Sequence, residues 1–269
     1  MHPRLSLHQV GFLSESVAAF VRFCRGLGAG YMTLASPLLL GPAAPGETRA
    51  ALAEGGPRAT TLAHAFALQP DLEQDTGGAA ALLTATIEAA ADYGTSHIYM
   101  VTGGRGGLDW EDAAARFAAL IPPCRDLAGA HGVALSVETA NLLNADIHIA
   151  HTLDDTIRLA ELAGIGVTID LGACWFEGDL AGKFRRALPL TRLVQVSDYV
   201  LGDRTTPCRA VPGDGVVPLE RILGQLLDMG YEGLFDLELS GPRIEAEGHR
   251  SAFQRGAETL SEMLTKLGA

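Results

Sequence analysis

The chain has 269 residues, 48% of them hydrophobic, and carries a formal charge of −12 with a pI of about 5.0. That length suits one α/β barrel or two smaller domains, and the apolar fraction provides for a large core. The acidity argues against duplex DNA or anionic lipid as a general partner, and no apolar run is long and uninterrupted enough to cross a bilayer.

The opening "MHPRLSLHQVGF" lacks the basic region, apolar block and cleavage site of a secretory signal. Cys24, Cys124, Cys174 and Cys208 form neither a CxxC pair nor a zinc-ribbon spacing. Reduced thiols in a cytoplasmic protein are the expectation.

Along the chain, short apolar runs alternate with helix-like stretches. The runs predict strands over residues 4–10, 31–36, 59–66, 96–101, 133–139, 166–170, 192–198 and 234–239. Between them lie segments such as "SVAAFVRFCRGLG", "AAALLTATIEAAADYG", "WEDAAARFAALIPPCRDLAGAHG" and "LDDTIRLAELAG", with apolar residues at helical spacing and Gly near their ends. Thr152, ahead of two acids, reads as an N-cap. Eight strand–helix units imply parallel strands and a single (β/α)8 TIM barrel, with residues 1–269 forming one domain. A doubly wound dinucleotide-binding sheet is the rival, but no GxGxxG follows the first strand. "TGGRGG" (102–107) follows the fourth strand and lacks the Lys-Ser/Thr of a P-loop.

In a barrel, chemistry collects where the strands end. Glu138 ends "VALSVE", Asp170 ends "GVTID", Gln195, Ser197 and Asp198 end "RLVQVSD", and Glu238 ends "LFDLE". The last of these, in "GLFDLELSG", sets Asp236 and Glu238 among residues suited to a buried strand, where an unpaired charge is costly. Three carboxylates and an amide converging make a hard, oxygen-rich site. It suits Mn²⁺ or Mg²⁺ first, with Co²⁺, Fe²⁺ or Zn²⁺ also open. For each acid alone the plainer reading is a helix cap or an ion pair; the pattern at four successive strands favours a site.

The order Glu138, Asp170, Gln195, Glu238, with "RAVPGDGVVPLERILGQLLDMGYEGLFDLEL" (209–239), resembles the xylose-isomerase-like TIM-barrel superfamily. That superfamily includes sugar isomerases and epimerases, inosose dehydratases and isomerases, 3-dehydroshikimate dehydratases and endonuclease IV. The likeness runs from about residue 133; the first half matches in strand–helix rhythm. It implies a divalent metal held by Glu138, Asp170, Gln195 and Glu238, and an enzyme in which Glu138 and Glu238 also serve as acid and base. It implies a small-molecule substrate contacted by Arg209: a small sugar, polyol or cyclic keto compound, isomerised or epimerised by proton abstraction next to a carbonyl. A metal-dependent dehydratase of the 3-dehydroshikimate or inosose type is the alternative.

The chain departs from its relatives in several places. Gln195 stands where most relatives have His, and Ala173 where many have a second His. Asn141 and Asn144 lie in the segment where ketose epimerases place a Glu, and Ala140 replaces the His of the dehydratase "ETHPN". The missing histidines and the acidity weigh against an endonuclease IV-like enzyme and against nucleic acid. They permit a non-catalytic barrel, which the retained acids oppose. A homo-oligomer is compatible with the sequence, and a membrane partner is not expected.

Six further groups are weighed against plainer roles. His64, in "TLAHAF", reads as a substrate contact or as a core histidine, and His8 likewise. His148 and His151, after the Glu138 strand, are candidates to swing over the site in place of the missing His. His97 begins its strand and reads as structural. Trp175 and Phe176 could wall a pocket, or pack a loop onto a helix. Arg105, on the glycine-rich "GGRGG" loop, which is expected to be flexible, could bind a carboxylate or phosphate through its planar fork, as could Arg209. Asp198 and Asp236 could orient ligands from behind.

Overall fold

The computed structural model describes residues 1–40 and 44–269. Its strands are β1 (Leu5–His8), β2 (Tyr31–Ala35), β3 (Arg58–Ala67), β4 (His97–Gly103), β5 (Ala134–Glu138), β6 (Gly166–Asp170), β7 (Thr191–Val196) and β8 (Phe235–Leu237). They pair in chain order and close from β8 back to β1, a (β/α)8 barrel. The helices are α1 (Val17–Leu27), α2 (Ala44–Ala53), α3 (Gly78–Tyr93), α4 (Trp110–Ala130), α5 (Leu153–Ala163), α6 (Leu171–Cys174), α7 (Leu180–Ala187), α8 (Leu219–Asp228), α9 (Pro242–Glu247) and α10 (His249–Lys266). No helix among the described residues is long and apolar enough to cross a membrane.

The predicted strands are all present, with ends within about two residues of the forecast. β1 stops early for a local reason. His8 Nδ1 accepts the Val10 N–H at 2.9 Å, which turns the chain into a 3₁₀ segment at Gln9–Phe12. Thr152 caps α5 as expected, its hydroxyl accepting from Asp155 N at 3.1 Å.

The chain packs as two compact units: Met1–Thr60 with Leu193–Ala269, and Thr61–Arg192. In the first, Asp236, Ser6 and Tyr31 lie level on β8, β1 and β2, and Leu237, Leu7 and Met32 follow. Strand residues alternate between two faces. A Cβ placed on Gly256 of α10 would touch Leu237 and Leu239, so those leucines face the helix layer. Asp236 and Glu238 therefore face the opposite way, into the barrel. The outward face is sealed by aromatics: Phe12 lies 5.0 Å, centroid to centroid, from each of Phe20, Phe23 and Phe253.

In the second unit, Phe66 packs edge-on against Phe117 of α4 at 5.4 Å, so the side of β3 that carries Leu62, His64 and Phe66 faces the helices. The inward face is polar. His97 Nε2 lies 2.7 Å from Ser136 Oγ, which lies 2.7 Å from Thr168 Oγ1, and His97 Nδ1 lies 3.4 Å from Thr61 Oγ1. His97 is buried, and burial drives its pKa down to about 3. A neutral imidazole that meets the Thr61 and Ser136 hydroxyls, with Thr168 joined on through Ser136, is a structural element of the interior.

Candidate metal centre

The acid in "GLFDLELSG" sits just beyond the end of β8. Glu238 is 6% exposed. Its Oε1 lies 3.0 Å from Arg209 Nη2, while Arg209 Nη1 donates to Ser197 Oγ at 3.2 Å. Arg209 reaches this place from the long excursion after β7, which Asp198 organises. One Asp198 oxygen accepts from Tyr199 N and Val217 N at 2.8 and 3.0 Å; the other accepts from Gly213 N and Gly215 N, both at 3.0 Å. The Asp198 backbone also bridges Ala210. Asp198 is thus a loop clasp, and its carboxylate is spent on backbone amides.

Gln195 lies level with Asp236 across the β7–β8 pairing and is fully buried. Among the described residues, neither its amide oxygen nor its amide nitrogen has a hydrogen-bond partner. An unpaired buried amide costs about 1–3 kcal/mol unless a ligand meets it. Asp236 is equally enclosed, and Thr33 Oγ1 donates to it at 2.9 Å. Burial pushes its carboxyl up to about 6, against the pull of the neighbouring His8.

In the other unit, Glu138 and Asp170 are the last residues of β5 and β6 and are 6% and 3% exposed. Asp170 Oδ1 accepts from Gly172 N at 2.9 Å and caps the short α6. One carboxylate oxygen from each of Glu138, Asp170 and Glu238 lies within 4.8 Å of the other two. Three ionised carboxylates that close repel one another strongly unless a cation or a proton intervenes. Oxygen ligands from carboxylates and a carboxamide are what a hard divalent cation takes. The acidic triad and the unpaired amide of Gln195 therefore fit such an ion.

The other sequence candidates are placed differently. His64 Nδ1 lies 3.2 Å from Thr86 Oγ1 of α3, so this ring is turned into the strand–helix layer and away from the interior. Burial takes its pKa to about 4. His148 does not swing. Its Nδ1 accepts from Thr102 N at 2.9 Å and its Nε2 donates to the Glu138 carbonyl at 2.8 Å, with the ring 1% exposed. Both nitrogens are engaged, so it is no substitute ligand; burial drives its pKa to about 3. His151 Nδ1 lies 3.3 Å from Ala140 O.

Trp175 is half-buried behind α6, edge-on to the exposed Phe176 at 6.0 Å. Arg105 is exposed on its loop. That loop is packed tight, contrary to the flexible reading. Gly103 has φ 89°, and a Cβ there would run into the Ala67 carbonyl; one at Gly104 would strike the Asp146 carbonyl. Glu73 fastens the loop's far side by accepting from Gly107 N at 2.8 Å. Thr33 and Thr102 escaped the sequence reading. Their only signal was strand parity, a hydroxyl at a position where alternation points to a polar neighbour.

A family model described as a xylose isomerase-like TIM barrel matches residues 21–263. No curated protein matches the chain. Among solved structures, the chain is similar to protein SMc04130 from Sinorhizobium meliloti 1021, with 23% identity, 98% of each chain covered and a TM-score of 0.79. It is similar to the IOLI protein with a bound zinc atom, at 15% identity, 98% and 99% coverage and a TM-score of 0.83. It is also similar to D-psicose 3-epimerase with D-tagatose from Clostridium cellulolyticum H10, at 16% identity, 98% coverage of each and a TM-score of 0.78.

Proposed function

This chain belongs to the xylose isomerase-like TIM barrel family, and from that premise we propose that it is a divalent-metal-dependent isomerase or epimerase of a small sugar, polyol or cyclic keto compound. The observation that carries the reading is the meeting of Glu138, Asp170 and Glu238 oxygens within 4.8 Å, with the buried, unpaired amide of Gln195 at the end of β7. The epimerase and the zinc-bound protein among the similar structures support it.

Glu138, Asp170, Gln195 and Glu238 would hold the cation. When bound, such an ion supplies a Lewis-acid charge at neighbouring substrate oxygens, which makes the C–H beside a carbonyl easier to deprotonate. The chain's own groups do the rest. Glu138 and Glu238 are the carboxylates placed to take up and return the proton. Arg209, steadied by Ser197, fixes the orientation of Glu238 and presents a guanidinium at the strand end, where substrate oxygens can be met. Asp236, held by Thr33, backs this pair from inside the barrel. The amide at position 195 favours a dehydratase as the second reading, since the same proton abstraction can lead on to loss of water.

The test combines metal content with proton exchange. Wild-type protein and Glu238→Gln are loaded with Mn²⁺, dialysed and analysed for bound metal. Both are then incubated with keto sugars and cyclic keto acids in D₂O and followed by NMR. About one metal per chain, with deuterium entering beside the carbonyl only in the wild type, is expected. Absence of both retained metal and exchange in the wild type would refute the proposal.

A further inference from the structure

We infer that His148 is a positioning residue that fixes the place of Glu138, and so tunes the cation affinity of the site; this rests on the metal reading above. His148 lies in a short segment stitched to the end of β4 on both sides of it. Gly103 N donates to Ile147 O at 2.9 Å, and Ile149 N donates to Thr102 Oγ1 at 3.2 Å. Between these ties the His148 ring spans from β4 to β5. Its Nδ1 takes the Thr102 N–H at 2.9 Å, with Thr102 Oγ1 at 3.1 Å, and its Nε2 reaches the Glu138 carbonyl at 2.8 Å.

An Nδ1 that accepts a backbone N–H carries no proton, so Nε2 is the donor and the tautomer is set. The ring is thus a rigid strut of fixed length between two strand ends. Its far end is the carbonyl of the residue whose carboxylate belongs to the triad. The strand beneath is steadied separately through Ser136, so the strut acts at the level of Glu138 itself. A backbone shift of a few tenths of an ångström there would be carried to the carboxylate, and groups that support a ligand from behind commonly change metal affinity by about 10–100-fold when removed.

The variants separate the strut from simple packing. In His148→Asn the side-chain oxygen can still accept from Thr102 N, but nothing reaches the Glu138 carbonyl. In His148→Gln the longer amide N–H regains that carbonyl. Mn²⁺ dissociation constants are measured for wild type, both variants and Glu238→Gln, with melting temperatures alongside, and the His148→Asn structure is determined. Roughly tenfold weaker Mn²⁺ binding in the Asn variant, recovery in the Gln variant and a displaced Glu138 carboxylate are expected. If the Asn variant binds Mn²⁺ as wild type does, or Glu138 is unmoved in its structure, the inference is overturned, whatever happens to the melting temperature. If wild type binds no better than Glu238→Gln, the metal reading has failed instead, and the Glu138 position in the His148→Asn structure still decides whether the strut exists.

Discussion

Three imidazoles are buried in neutral form, and together they make the fold acid-labile in a way that can be calculated. Burial holds His64 to about 4 and His97 and His148 to about 3, against an ordinary value of 6.5. With the folded value depressed, only the unfolded chain takes up these protons as pH falls below 6.5. Their contribution is intact above pH 6.5 and is lost progressively toward pH 3–4. At pH 5 each lies about 1.5 units below its unfolded value, a loss of about 2 kcal/mol each and about 6 together. Asp236 works the other way. Its folded value, about 6, is raised above 3.8, so its burial cost is felt above pH 6 and eases as pH falls. By pH 5 that returns about 1 kcal/mol, leaving a net loss of about 5 kcal/mol. Since domains are stable by about 5–15 kcal/mol, this is a large fraction. Urea unfolding at pH 7.5, 6.0 and 5.0, followed by circular dichroism, measures it directly. His97→Asn should recover about 2 kcal/mol of the pH-dependent part. A wild-type stability at pH 5.0 within about 1 kcal/mol of that at pH 7.5 would refute the assignment of three neutral, enclosed rings.

Asp198→Ala leaves four backbone N–H groups without their acceptor. A loss of at least about 3 kcal/mol is expected, with fast amide exchange at Gly213, Gly215 and Val217, and Asp198→Asn should be milder. Unchanged exchange at those amides would show that the excursion does not depend on the clasp. Gly103→Ala puts a Cβ into the Ala67 carbonyl at a positive φ, so the melting temperature should drop by several degrees, roughly 2 kcal/mol or more; a wild-type melting curve would contradict the packed-loop description. Gln195→Met replaces an unpaired buried amide by an apolar chain of similar size. Metal-free protein should gain up to about 2 kcal/mol while Mn²⁺ affinity falls. Stability lost with affinity unchanged would count against Gln195 as a ligand.

The barrel was legible because its strands are apolar on the outward face and bounded by glycine and polar residues. "GVTID" begins and ends where predicted, at Gly166 and Asp170. The site acids were legible because they end those runs, although not at one level: Glu138 lies across from Thr168, and β6 runs on to reach Asp170. His64 shows what was not legible. A single step along β3 separates the inward face of Thr61 from the outward face of Leu62 and Phe66, and only the register decides which side a histidine takes. His148 shows another limit, because a hydrogen bond to Thr102 N, 46 residues away, leaves no mark in local sequence. The "GGRGG" loop was misread because glycine serves both freedom and close approach. Its neighbours at Ala67 and Asp146 show that close approach is the reason here.

These strands divide their labour by parity. In the first unit, Leu5, Leu7, Met32, Leu34, Phe235 and Leu237 bury their side chains and supply the hydrophobic term. The alternate positions, Ser6, His8, Thr33 and Asp236, are just as enclosed yet polar. Each of these is a net cost unless it is hydrogen-bonded or meets a ligand. Thr33 and Asp236 answer one another, as do Ser136, Thr168 and His97 in the other unit. Gln195 is answered by no protein group among the described residues. An apolar residue there would avoid that cost, and this contrast is what supports the proposal of Gln195 as a ligand. Glu238, two strand positions on from Asp236 and drawn to Arg209, lies on that same inward face.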